Sequence, residues 1–287
     1  MIRRLVWRAR RAVNGPRPAI LLYHRVARPA LDPWRLAIAP EDFAAQMDWL
    51  VARRTPMPLD AFVSALFAGT LPANAAAITF DDGYADNLHA AAPILAARGL
   101  PATLFVASGS VGAPAFWWDA LAAVMLGPSG AGLAAYRREW RRWQGMAPKA
   151  RADALSALPA PPESSGLGRP LTEVELRAAA QTFTIGAHGV SHTPLPDLAP
   201  AEGRAELATG ASLIETLLGA RPAGLAYPHG AWDEASRQWV AGAGYAWAVT
   251  VDGTPVLPGA DRFALPRIAA PRGGADALAR RLAWAGA

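Results

Sequence analysis

Ala75-Ala76-Ala77-Ile78-Thr79-Phe80-Asp81-Asp82-Gly83-Tyr84-Ala85-Asp86-Asn87 is the stretch on which the fold turns. An apolar run stops at two adjacent carboxylates and a glycine, and a helical pattern begins near Asp86. Near-continuous hydrophobicity is what a parallel strand shows when both of its faces are covered. The run therefore reads as a buried strand that delivers Asp81 and Asp82 to the rim of a sheet or barrel, where α/β enzymes keep their chemistry. Successive strand side chains point to opposite faces, so both acids serve one site only if the backbone turns there. Gly83 supplies that freedom. Read alone, the stretch is equally a turn cornered by Asp82-Gly83, with Asp86 capping the next helix.

Working outward, Ala19-Ile20-Leu21-Leu22-Tyr23-His24 is a second buried-strand candidate that ends on a histidine. Further candidates lie at 102–107, 182–187, 224–227, 246–251 and 264–268. Helical patterns at 41–53, 59–67, 86–98, 201–218, 233–243 and 275–284 alternate with most of them. Seven strands, most followed by a helix, predict a parallel α/β barrel. A doubly wound open sheet is the alternative, and no glycine-rich phosphate loop supports it. Residues 1–18 read as a basic segment and 19–287 as the barrel domain, with a helical insertion at about 116–180. Within it, Trp117-Trp118-Asp119 leads into an apolar helix, 133–143 and 150–158 follow as helices, and 159–170 is a Pro/Gly/Ser loop. The insertion holds too little apolar area to fold alone. Trp117 and Trp118 are read as core or as a sugar-stacking surface at a groove mouth.

Composition narrows the classes. Of 287 residues, 52% are hydrophobic, too many for a disordered chain. The absence of cysteine excludes disulfides and thiolate metal sites. The net charge of +5 comes almost wholly from arginine, and no nucleic-acid motif accompanies it. No apolar stretch is long enough for a membrane span. Met1 to Arg11 is basic but lacks a signal peptide's apolar core and cleavage site, so a cytoplasmic location is expected. As a helix it would place Ile2, Leu5, Val6 and Ala9 on one face, which fits peripheral contact with anionic lipid or packing on the barrel.

The chain has five histidines. Four of them, His24, His188, His192 and His229, fall at or just past a predicted strand end, whereas His89 lies in a predicted helix. His188-Gly189-Val190-Ser191-His192 carries His-x3-His, a spacing that on a helical turn lets both imidazoles reach one ion at about 2.0–2.1 Å. A carboxylate from another strand would complete a His-His-carboxylate set with open positions for water and substrate.

Thr79-Phe80-Asp81-Asp82-Gly83 together with His188-Gly189-Val190-Ser191-His192 resembles the polysaccharide deacetylases of the NodB-homology type, carbohydrate esterase family 4. The resemblance runs from about Ile20 to Ile268. It implies a distorted (β/α)7-type barrel, a divalent metal, most often zinc with cobalt, nickel or manganese possible, and release of an N-acetyl group from an amino sugar of a glycan or glycolipid. It carries Asp82, His188 and His192 over as the metal set and Asp81 as the catalytic base. Leu225-Ala226-Tyr227-Pro228-His229-Gly230 resembles the third family motif, whose backbone N–H, here that of His229, helps hold an oxyanion; Tyr227 and Pro228 then border the substrate. Two positions depart from the family pattern: Ala226 stands where many members have an arginine orienting the base, and the late strand Leu265-Pro266-Arg267-Ile268 lacks the usual histidine. Tyr23-His24-Arg25 resembles the opening of the exopolysaccharide-deacetylase branch, which makes His24 the candidate acid and His229 its rival. Arg267 is the candidate replacement orienter. An O-acetyl esterase, a deformylase on a lipid-linked sugar, and a non-catalytic carbohydrate-binding relative are the competing readings.

Overall fold

The computed structural model describes residues 15–127, 130–158 and 168–287. Ten strands occur among them: β1 (Ala19–Tyr23), β2 (Arg25–Val26), β3 (Ala37–Ile38), β4 (Thr55–Pro56), β5 (Ala75–Phe80), β6 (Ala102–Val106), β7 (Phe183–Ala187), β8 (Gly224–Ala226), β9 (Trp247–Val249) and β10 (Ile268–Ala269). The seven expected strands are β1 and β5 to β10. They form one parallel sheet in the order β10-β1-β5-β6-β7-β8-β9, curled into a half-barrel. Leu265 bridges Val249 of β9, and farther along the same segment Ile268 and Ala269 pair with Leu21 and Leu22 of β1. That segment therefore joins the two ends of the sheet. The two-residue strands β2, β3 and β4 were not expected, because so short a pairing leaves no period to read.

Alternation along the strands separates two cores. Ala19, Leu21 and Tyr23 of β1 and Ala76, Ile78 and Phe80 of β5 pack outward. They meet Phe43, Met47 and Leu50 of α1 (Pro40–Arg53) and Leu278 and Leu282 of α10 (Ala275–Ala285). Ile20, Ala77, Phe105, Ala226, Trp247 and Val249 face the other way, with Leu59, Phe62 and Val63 of α2 (Leu59–Ala68). Trp247 opens β9 and donates to Asp60 Oδ1 at 2.9 Å, so α2 crosses the barrel end opposite the acid rim. The inward series on β5 is Ala75, Ala77 and Thr79, and Asp81 continues it.

The expected helix at 86–98 is a π turn (Asn87–Ala91) followed by α3 (Ala92–Ala96). Pro93 has no N–H to complete a regular ladder at that point. The insertion forms α4 (Trp117–Leu126), α5 (Leu133–Gln144) and α6 (Pro148–Ser156). Its aromatic core of Phe116, Trp117, Trp118, Tyr136 and Trp143 includes Tyr84 from the turn after β5, so the insertion sits on the acid rim. A missed helix, α7 (Glu173–Ala179), corrects the insertion's C-terminal limit. Thr172 and Glu175 form a capping box, and Leu176 and Ala179 bury into the main core, which makes α7 the crossover that precedes β7. α8 (Pro200–Leu218) and α9 (Glu234–Gly242) follow β7 and β8. The basic N-terminal stretch and most of the loop at 159–170 lie outside the described residues. No described helix is long and apolar enough to cross a membrane.

Candidate active site

Asp81 meets Arg267 in a bidentate ion pair, with Nη1 to Oδ1 and Nη2 to Oδ2 both at 2.6 Å. The guanidinium is fully buried, and its remaining donors reach the Thr250 carbonyl at 3.0 Å and Thr79 Oγ1 at 3.1 Å. Two parallel charge-assisted bonds fix the carboxylate plane as well as its charge. Burial alone would raise the pKa of Asp81, but Arg267 and then His188 outweigh it and hold it below the usual carboxylate range. Asp81 is therefore ionised at neutral pH.

By alternation Asp82 should point away from Asp81. Its backbone adopts φ 74°, Gly83 follows at 91°, and the two left-handed residues swing the Asp82 carboxylate back into the same site. The turn is thus made by Asp82 itself as well as by Gly83. His192 and His229 also have positive φ, 56° and 59°, and of the described non-glycine residues only Arg35 shares the feature. Strained backbone of this kind persists where surrounding structure over-determines it.

Asp82, His188 and His192 offer ligand atoms that all lie within 4.8 Å of one another. His188 Nδ1 donates to the Ala226 carbonyl at 2.8 Å, which leaves the Nε2 lone pair facing the site. His192 Nε2 lies 3.2 Å from His188 Nε2 and 3.2 Å from Asp82 Oδ1, yet Asp82 Oδ1 has no hydrogen bond. Two buried imidazole nitrogens converging on an orphaned carboxylate oxygen fit a divalent cation, and the N/N/O set suits zinc or a neighbouring first-row metal. Burial opposes charge on Asp82, but the two imidazoles hold its pKa well below normal. Asp81 Oδ2 is 3.9 Å from His188 Nε2, beside this set.

A cavity of about 310 Å³ opens over these groups, lined by Asp81, Asp82, His188 and His192 together with His24, His229, Gly230, Trp118, Trp34, Trp140, Leu22, Leu36, Val251 and Ala269. His24 reaches it half-buried from the end of β1. His229 is exposed at the mouth, though its ring is packed 4.4 Å from His192 and 5.5 Å from Trp140. That crowding, followed by repulsion from His192 and His188, pushes its pKa well down. Trp118 stacks on Phe116 and faces His192 at 4.6 Å. Trp117 is not among the lining residues; it is buried against Trp143 and Arg151, because the adjacent position on α4 faces the insertion's core. Tyr227 and Pro228 are also buried away from the cavity, and the Tyr227 hydroxyl donates to the Phe263 carbonyl. Of the third motif only His229 and Gly230 border it.

A family model described as polysaccharide deacetylase matches residues 68–248, a span that holds both acids and both site histidines of the convergent set. The chain belongs to the polysaccharide deacetylase family. The polysaccharide deacetylase homologue YxkH of Bacillus subtilis (strain 168) is 22% identical over 252 residues, covering 87% of this chain and 70% of that protein. Among solved structures, the Streptococcus pyogenes deacetylase PplD, in complex with acetate, superposes with a TM-score of 0.66 at 19% identity, covering 92% of this chain and 97% of its own. IcaB from Ammonifex degensii gives 0.64 at 22% identity, covering 96% and 99%. Both share the curled half-barrel with this deacetylase.

Several residues of this polysaccharide deacetylase site escaped the sequence reading. Asp86 is no helix cap: it pairs with Arg25 Nε at 2.9 Å and accepts from the Val26 amide, while Asn87 Nδ2 donates to the His24 carbonyl at 2.7 Å. The acidic motif thereby clamps the segment that presents His24. On α8, Glu206 Oε1 accepts from the Val190 and Ser191 amides and the Ser191 hydroxyl, bracing the loop between the histidines. Trp34 and Trp140 pack at 4.6 Å as a wall of the cavity. Each of these acts on a partner distant in sequence, and only the Asp86-Asn87 ending of the first motif carried a local signal, read there as a helix start.

Proposed function

We propose that this deacetylase is a metal-dependent hydrolase that removes N-acetyl groups from amino sugars of a polysaccharide or glycolipid. The observation that carries the reading is Asp81: ionised, oriented by Arg267, and placed beside the Asp82–His188–His192 set while not being needed to complete it. Those three residues would hold a divalent ion, which when bound supplies Lewis acidity to polarise the acetyl carbonyl and acidify water. Asp81 accepts the proton of the attacking water at its carboxylate, a general-base role worth about 10²–10⁴-fold. Arg267 keeps that carboxylate in plane. The backbone amide of His229, on the rim turn, adds a hydrogen bond to the oxygen that gains charge. His24 delivers a proton to the departing amine; the depressed pKa of His229 suits it less to that role. Trp118, Trp140 and Trp34 give the sugar an aromatic wall.

The test is acetate release by metal-stripped protein refilled with zinc or cobalt, against N-acetyl and O-acetyl sugars, with Asp81→Asn beside it. Release from an N-acetyl sugar that falls at least about 10²-fold in Asp81→Asn, with metal stoichiometry intact, is the expected result. Release from esters alone would replace the reading by an esterase. Silence on every sugar with one equivalent of metal bound would favour the binding relative.

A further inference from the structure

We infer that Arg151, on the helical insertion, is a positioning residue that holds the histidine loop in its site-facing conformation. The inference rests on the metal reading above. Arg151 is the buried residue of α6, a helix whose Ala154 and Leu155 are only partly buried. A nine-residue helix thus docks chiefly through a charge, which is costly unless the guanidinium is well satisfied. Its Nη2 donates to the Ser191 carbonyl and to Thr193 Oγ1, both at 2.7 Å, on either side of His192. Its face lies 5.2 Å from the Trp117 ring. No carboxylate pairs with it among the described residues. Nη1 reaches the Gln144 carbonyl at 3.4 Å, and the two shorter bonds go to the backbone and hydroxyl that flank the left-handed His192.

Glu206 takes the amides of Val190 and Ser191, and the Ser191 and Thr193 hydroxyls link its carboxylate to Arg151. A buried anion on the amides and a buried cation on the carbonyl and hydroxyl match the loop's own polarity. His192 at φ 56° needs such support, since a side chain makes the left-handed region costly, whereas Gly189 at φ 73° adopts it freely. The insertion therefore sets how well His192 can serve as a ligand, although it contributes no ligand itself.

The experiment measures zinc affinity by chelator competition and the visible spectrum of the cobalt-loaded protein, for the full chain and for Arg151→Met, Arg151→Lys and Thr193→Val. Arg151→Met is expected to weaken zinc binding by about 10-fold or more and to alter the cobalt bands. Arg151→Lys, with charge but no fork, should recover part of the affinity, and Thr193→Val should show a smaller loss in the same direction. A folded Arg151→Met with wild-type affinity and spectrum overturns the inference. Should that variant not fold, wild-type values for Thr193→Val do the same. Failure of the unaltered chain to bind zinc would instead remove the metal reading itself.

Discussion

Asp81 and Asp82 are chemically identical neighbours that the fold sends to opposite partners, a guanidinium for one and two imidazoles for the other. The difference follows from two successive left-handed residues, Asp82 and Gly83. Arg267 is the most consequential single side chain behind the pair, because removing it leaves Asp81 buried without its counter-charge. Arg267→Met is expected to raise the pKa of Asp81, shifting the acid limb of the kcat/KM profile upward by about one to three pH units. It should also destabilise the fold by about 3–5 kcal/mol near neutral pH, read by urea denaturation. The positions of these residues could be read because a strand end locates Asp81 and a predicted late strand end locates Arg267, while the role suggested for Asp81 came from the family resemblance. Arg151 and Glu206 could not, since one arginine in an arginine-rich insertion, or one glutamate in a long helix, carries no mark of its partner.

At the level of elements, the insertion and the rim meet in a polar chain: Trp118 Nε1 donates to the Tyr84 hydroxyl, which donates to Asp119 Oδ2, each at 2.7 Å. Burial pushes the Asp119 pKa up to about 7, with the Tyr84 hydrogen bond and Arg25 opposing it. An unfolded aspartate ionises near about 3.9, so the folded state binds the extra proton between that value and 7. Stability is then lost as pH rises through that window and the loss levels off above it. Asp119→Asn still accepts from Tyr84 but does not ionise. The difference in urea midpoint between variant and parent is therefore expected to grow in the variant's favour from pH 5 to pH 7.5; a constant difference would place the proton elsewhere. Helices α4, α5 and α6 were legible from apolar spacing, whereas α7 was hidden behind a Pro/Gly/Ser loop whose turn residues masked the Thr172 cap.

For the whole molecule, seven parallel strands could be read because each is a short buried run between turns, and their order around the sheet follows from chain order. The convergence of Trp34, Trp118 and Trp140 could not, because it depends on how the insertion leans on the rim. On the proposed metal reading, three buried groups that would take up a cation only in the folded state predict stabilisation by mass action. Stripping the metal from protein held at about 100 Kd should cost about 2.7 kcal/mol and lower Tm by roughly 5 °C in a calorimetric scan. The barrel's seam carries one more consequence. Arg267 lies on the segment that joins β9 to β1, and its partner Asp81 sits 186 residues earlier. During synthesis the acid leaves the ribosome long before the arginine does, so a partly made chain still lacks the counter-charge that orients Asp81. In the proposed mechanism, competence would arrive with the closing segment, which ties the onset of hydrolysis to completion of the fold.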